Sequence, residues 1–211
     1  GIDASLIVVS VSAQKAKVVS AYNYNKSYER DKECSELVKG IASIEPATKD
    51  LKTKEWAKTW YYGGNLYFNA ALTQDKECST KFDDALNKSY DYYMNALKYN
   101  IEDEGAKSLD FDKEAEQMKF KGYLMNRNTA YGDISYMRDI IGNKFPYLAN
   151  AFVNKGVEEF QAGNYEESKD YSEKSIMTNQ FLGKVDSLGM YNYALAAERL
   201  EEYDEAIEAY T

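Results

Sequence analysis

The side chains able to do chemistry in this chain are 35 carboxylates, 20 tyrosines and two cysteines; there is no histidine. Without imidazole the chain lacks the commonest general base and the commonest nitrogen ligand for a metal. A Ser-His-Asp or Cys-His nucleophile is impossible within it. Cys34 and Cys78 cannot build a zinc site without nitrogen ligands. Carboxylate pairs for general acid–base work stay open in principle, but no spacing singles one out. Asp110, Asp112 and Glu114 glance at a calcium loop, yet the sixth position, where such a loop needs glycine, is Ala115 and the twelfth is Lys121 instead of Glu. A solvated loop is the better reading. No catalytic residue, metal or cofactor is expected.

The net charge of −9 sets a second boundary. Holding a phosphate backbone needs clustered Lys and Arg, whereas here the bases are scattered among a larger number of acids, so no nucleic-acid partner is expected. The hydrophobic share of 44% is enough for a sizeable core. Only two prolines, Pro46 and Pro146, and twelve glycines occur, which suits helices and argues against a turn-rich β sandwich. The short apolar run Leu6–Val9 cannot span a bilayer.

Any functional face must therefore be carried by helices, and the helices repeat. From Ala151, AFVNKGVEEFQAGNYEESKDYSEKSI places Phe152, Gly156 and Phe160 at helical spacing, breaks at Gly163-Asn164, and resumes from Tyr165 through Ser168, Tyr171, Ser175 and Ile176. MYNYALAAERLEEYDEAIEAYT repeats this grammar with Met190, Ala194 and Ala197, a turn at Glu201-Glu202, then Tyr203, Ala206 and Tyr210. Tyr203 follows Tyr165 by 38 residues, against a tetratricopeptide period of about 34, and Gln180–Asp186 holds the excess. Upstream, Trp60, Gly64 and Tyr67 in WYYGGNLY match the W-x2-L-G-x2-Y part of that pattern, with Gly63 in place of Leu; Ser89, Tyr93 and Ala96 follow on the partner helix. A fourth copy has Ala21 and Tyr24, then Leu37 and Gly40, with Glu33 at a position that wants a small apolar residue. The fold class expected is all-α: tetratricopeptide-type hairpins stacked as an α-solenoid, near 15–44, 54–99, 146–178 and 187–211. The segments are 1–14, a signal remnant or first segment; 15–100, two repeats; 101–145, an acidic loop and helical connector with helices at Lys113–Tyr131 and Ile134–Ile141; and 146–211, two more repeats. Thr211 falls before the last turn of the final helix, which leaves three readings open: a longer chain, a disordered helix end, or a cap supplied by another chain through self-association at that end.

The stretches VSAQKAKVVSAYNYNKS, KTWYYGGNLY and LANAFVNKGVEEFQAGNYEES resemble the exported tetratricopeptide-repeat proteins of Bacteroidetes. The resemblance implies export, after a signal ending in Ala-Gln, to the periplasm or cell envelope. It also implies a concave groove lined by the first helix of each hairpin. The groove positions carry over to Tyr61, Tyr62, Asn65 and Phe68 in repeat 2, Asn150, Asn154 and Phe160 in repeat 3, and Tyr191, Asn192 and Glu198 in repeat 4. Trp60 and Tyr67 are expected in the core. Aromatic rings and amides suit an extended peptide, so the function expected is a non-catalytic protein- or peptide-binding scaffold. The alternative is a carbohydrate-binding or outer-membrane nutrient-uptake accessory protein, for which exposed rings would stack on sugars. Lys58 and Lys155 alone do not form a clamp for a terminal carboxylate.

The cysteines lie in duplicate pentapeptides, DKECS at Asp31–Ser35 and Asp75–Ser79. In an antiparallel hairpin stack both would sit at one end of adjacent helices. A Cys34–Cys78 disulfide is then the expectation in an oxidising compartment, against two unrelated thiols.

Overall fold

The computed structural model describes the chain from Ala4 onward, with side chains from Ala13. The reading of 1–14 as a signal remnant falls mostly outside these described side chains. Among the described residues the chain is all-helical, with no strand; one isolated antiparallel bridge joins Ile101 and Tyr131. The helices are α1 Ala4–Asp31, α2 Cys34–Ala47, α3 Ala57–Leu72, α4 Lys76–Ser79, α5 Ala85–Asn100, α6 Glu104–Lys107, α7 Glu114–Met125, α8 Ile134–Asp139, α9 Phe145–Gln161, α10 Tyr165–Phe181, α11 Ser187–Arg199 and α12 Tyr203–Tyr210. They fall into two compact units. Unit 1 runs to Leu109 and includes Asn128–Tyr136; unit 2 comprises Asp110–Arg127 and Met137–Thr211. The connector expected over 101–145 is thus shared between them.

In unit 1, α1 packs on α2, α2 on α3 and α3 on α5, and α1 also touches α3. The sequence period explains why. On α2, Leu37, Gly40, Ile41, Ile44 and Ala47 are buried at spacings of three and four, one stripe of a helix. They join Val18, Ala21 and Tyr28 of α1 and Leu66, Tyr67 and Ala70 of α3 in one core. Glu33, awkward as a core residue, lies in the turn between α1 and α2 and is exposed, so the register conflict disappears.

Gly63 also finds its reason. A β-carbon there would come within 2.5 Å of the Tyr92 ring. The ring of α5 occupies the volume a leucine at this position would fill, and the swap of large for small is made across the helix pair.

In unit 2, α9 packs on α10, α10 on α11 and α11 on α12, and α9 also touches α11. Phe145, Leu148, Ala149, Phe152 and Gly156 form the buried stripe of α9. The facing stripe of α10 is made of hydroxyls: Ser168, Ser172, Ser175 and Thr178, ending at Phe181. Each buried hydroxyl has an acceptor. Ser168 donates to the Gly156 carbonyl at 2.7 Å, Ser172 to the Ser168 carbonyl at 2.8 Å and Thr178 to the Lys174 carbonyl at 2.6 Å. Small side chains let the two helices approach closely, and pairing with backbone oxygens removes the desolvation penalty.

The middle segment departs from expectation twice. The helix expected over Lys113–Tyr131 stops at Met125. Residues 130–133 bond across to the end of α5 instead: Glu102 N–H to the Ala130 carbonyl at 3.0 Å and Gly132 N–H to the Asn100 carbonyl at 2.8 Å. The Asn100 side chain closes the pinch on both backbone groups of Asp133.

The helix expected over Ile134–Ile141 is α-helical only to Asp139 and then passes through a π-helical turn, Ile140–Lys144, that leads directly into α9. Pro146 supplies the cause. Its ring crowds the carbonyl four residues back and it has no N–H to give, so the ladder widens ahead of it.

Candidate ligand-binding faces

The groove candidates of α3 gather into one aromatic face of unit 1. Tyr62 packs against Tyr22 of α1 with ring centroids 5.0 Å apart. Tyr61 stacks on Tyr136 at 4.3 Å, and Tyr136 also meets Tyr62 edge-on at 6.5 Å. Phe68 continues the face toward Tyr93, at 6.3 Å. Tyr61, Tyr62, Asn65 and Phe68 are all half-buried, and Tyr22 is 41% exposed. The Tyr93 hydroxyl donates to Asn65 Oδ1 at 2.6 Å, which holds the amide in place and leaves its NH2 group as donor. Burial, with the Tyr62 hydroxyl next, raises the Tyr136 phenol well above its ordinary range, and the Lys26 ammonium lies 5.8 Å from the Tyr22 ring at the edge of the face.

Two members of this face escaped the sequence. Tyr136 lies in the middle segment with no periodic signal and arrives only because residues 128–136 fold back onto unit 1. Tyr22 lies beside Ala21 on α1, off the Ala21–Tyr24 pattern, and only the packing of α1 on α3 brings its ring to Tyr62. Beside the face runs an amide ladder: Asn69 Nδ2 donates to Asn25 Oδ1 at 2.8 Å, and Asn25 Nδ2 to Glu29 at 3.1 Å.

The Trp60–Tyr67 stripe lies on the other side of α3. Tyr67 is buried and its hydroxyl donates to the Glu45 carboxylate. Trp60, expected in the core, is only half-buried; its indole N–H donates to the Lys54 carbonyl at 2.6 Å and its ring meets Tyr92 at 5.1 Å. It covers the edge of the hairpin because α5 turns Tyr92 into the space beneath it.

In unit 2 the candidates divide. Asn150 and Asn154 are exposed on α9. Phe160 is half-buried, edge-on to Tyr165 at 5.2 Å with the Arg199 guanidinium 5.9 Å from its ring. Tyr191 is 53% exposed and packs on Tyr210 at 6.1 Å; the Tyr210 hydroxyl donates to Glu198 at 3.1 Å. Asn192 is half-buried with its Nδ2 shielded and unpartnered among the described residues. Phe160 therefore serves the packing of neighbouring helices, while Asn150, Asn154, Tyr191 and Glu198 are exposed. Lys58 and Lys155 are occupied: Lys58 lies over the Trp56 ring at 4.5 Å, and Lys155 pairs with Glu158 and Glu159, both at 3.2 Å.

Cys34 and Cys78 are bonded, with their α-carbons 5.7 Å apart. The loop after α3 reaches across through α4, whose N-cap Asp75 accepts from Cys78 N–H at 3.1 Å. Next to the bridge, Tyr28, Lys32, Asn69, Leu72, Gln74 and Asp75 surround an open cavity of about 390 Å³.

The Asp110 carboxylate accepts from the Asp112 N–H at 3.0 Å, and Lys113 approaches Asp110 and Glu116. Among the described residues no group of His, Cys, Asp or Glu is arranged to hold a metal ion, and no helix is long and apolar enough to cross a membrane. In comparisons with known proteins, no family model matches the chain, and no curated protein matches it either.

Proposed function

We propose that this chain is a non-catalytic scaffold of tetratricopeptide type that holds a protein or peptide partner in the cell envelope. The observation that supports this reading most is the aromatic and amide face on α3. Tyr61, Tyr62, Asn65 and Phe68 lie on consecutive turns of the first helix of a hairpin, with Tyr22 from the first helix of the preceding one. Rings bury a partner's side chains and amides bond its backbone. Helices two apart in the chain touch within each unit, as they do where hairpins stack and present their first helices side by side. The Cys34–Cys78 bridge favours an oxidising compartment, consistent with export.

The ring stack of Tyr61 and Tyr136 beside Tyr62 favours one second reading, a carbohydrate-binding accessory role, since flat exposed rings also stack on sugars. Parallel screens of the chain against displayed peptides and arrayed glycans separate the two. The peptide reading expects hits whose binding falls in Tyr62→Ala and in Asn65→Ala by more than the loss of thermal stability, measured alongside, accounts for. Glycan hits abolished by Tyr62→Ala, with no peptide hit, would replace it.

A further inference from the structure

At one edge of unit 2 the last turns of α10, the loop into α11 and the first turn of α11 meet α7 around an open groove of about 330 Å³. Its apolar walls come from Met118, Ile176, Val185 and Met190. Met125 joins them: its methyl carbon lies 3.9 Å from where a side chain on Gly183 would begin. Two of the chain's six methionines thus line the depression, and a third stands beside its Gly183 wall. Unbranched, polarizable thioether chains conform readily to an apolar partner. Their setting is wet, with Val185 82% exposed and Met118 40% exposed.

Charge gives the groove a direction. Lys121 of α7 and Lys184 of the loop border it, and neither makes an ion pair among the described residues. The one carboxylate there, Asp186, is engaged inward, accepting from Gly189 N–H at 2.8 Å and from the Ser175 hydroxyl. Further back along the same two helices stand Glu114 and Glu173; partial burial first, and then the charge of Glu114, raise the Glu173 carboxyl above its usual range. In a chain of net charge −9, two uncompensated ammonium groups beside an apolar depression select for an anionic, apolar partner. A small ligand would stay largely wet in so open a site, whereas a peptide needs to bury only one face.

We propose that this groove docks a peptide segment of a partner protein in which bulky apolar residues are followed by Asp or Glu. The apolar side chains settle on Met118, Met125 and Met190, and the carboxylates meet Lys121 and Lys184. This surface is separate from the α3 face, so the two readings fail independently.

The test is a random-peptide display screen on the whole chain, followed by anisotropy titration of a labelled synthetic copy of the enriched sequence. Enriched peptides should pair Leu, Met, Ile or Phe with neighbouring acidic residues. Replacing Lys121→Glu together with Lys184→Glu should weaken that peptide by at least about tenfold, with an unchanged circular dichroism spectrum. Tyr62→Ala should leave its affinity intact. Added salt should weaken it. Three results overturn the proposal: enrichment of peptides without acidic residues, or no enrichment; affinity indifferent to the double charge reversal; or loss of binding in Tyr62→Ala, which would put the peptide on the α3 face.

Discussion

Gly64 shows how tightly single positions are held. A β-carbon there would lie 2.6 Å from two ring atoms of Tyr93, which is fully buried and tethered through its hydroxyl to Asn65. The ring has nowhere to retreat, so Gly64→Ala should cost about 1–3 kcal/mol by overpacking, measured by urea unfolding. Two half-buried phenols, Tyr92 in unit 1 and Tyr193 in unit 2, predict a second behaviour. Burial, with Glu45 next, raises Tyr92 to about 12, and burial, with Glu205 next, raises Tyr193 to about 12. Both ordinary values are near 10.0, so the fold favours the protonated phenols. Their contribution is fully present below pH 10 and is lost as pH rises from about 10 through about 12. Tyrosinate absorbance and helical ellipticity should therefore change together in that window. Tyrosines ionising near pH 10 with ellipticity intact would contradict this.

At the scale of elements, caps and clasps set the order of α10, α11 and α12. The Asp186 side chain caps α11 through Gly189 N–H and also accepts from Ser175 of α10, so one carboxylate ties two helices. Asp186→Ala should lower stability by about 1–2 kcal/mol, read by chemical denaturation, and Asp186→Asn should recover part of it. The last helix depends on a lysine. Among its residues only Ala206 is buried, while Lys169 of α10, itself 14% exposed, reaches Glu202 at 2.7 Å and Glu205 at 3.6 Å. Lys169→Ala should speed amide exchange across Tyr203–Tyr210 and leave α9 unchanged. Equal acceleration in both helices would mean that the clasp has no local role.

For the whole molecule the largest single constraint is covalent. The Cys34–Cys78 bridge closes 44 residues and joins the start of α2 to the loop after α3. By the chain-entropy estimate it contributes up to ~4 kcal/mol. Reduction, or the double change Cys34→Ala and Cys78→Ala, should lower the midpoint of thermal unfolding and loosen α1–α3 first. Because unit 2 carries no disulfide among its described residues, exchange in α9 and α10 should respond much less.

Helix class, the four hairpins and the placing of their turns follow from the sequence itself. Periods of three and four repeat through Leu37–Ala47 and Phe145–Gly156, and the breaks at Gly163 and Glu201 coincide with left-handed backbone. These are local signals, carried by neighbours along one helix. The cysteine pairing was also within reach, because hairpin geometry brings the two DKECS segments to one end. The middle segment was not legible. Residues 130–133 obey no helical period, and their backbone groups bond to Asn100–Glu102, some thirty residues away in the chain. Nor could the sequence tell that Tyr136 covers Tyr61, that Tyr92 fills the space above Gly63, or that Lys121 and Lys184 border one groove. Such pairings depend on which helix faces which, a matter of tertiary packing that single-helix periodicity does not record.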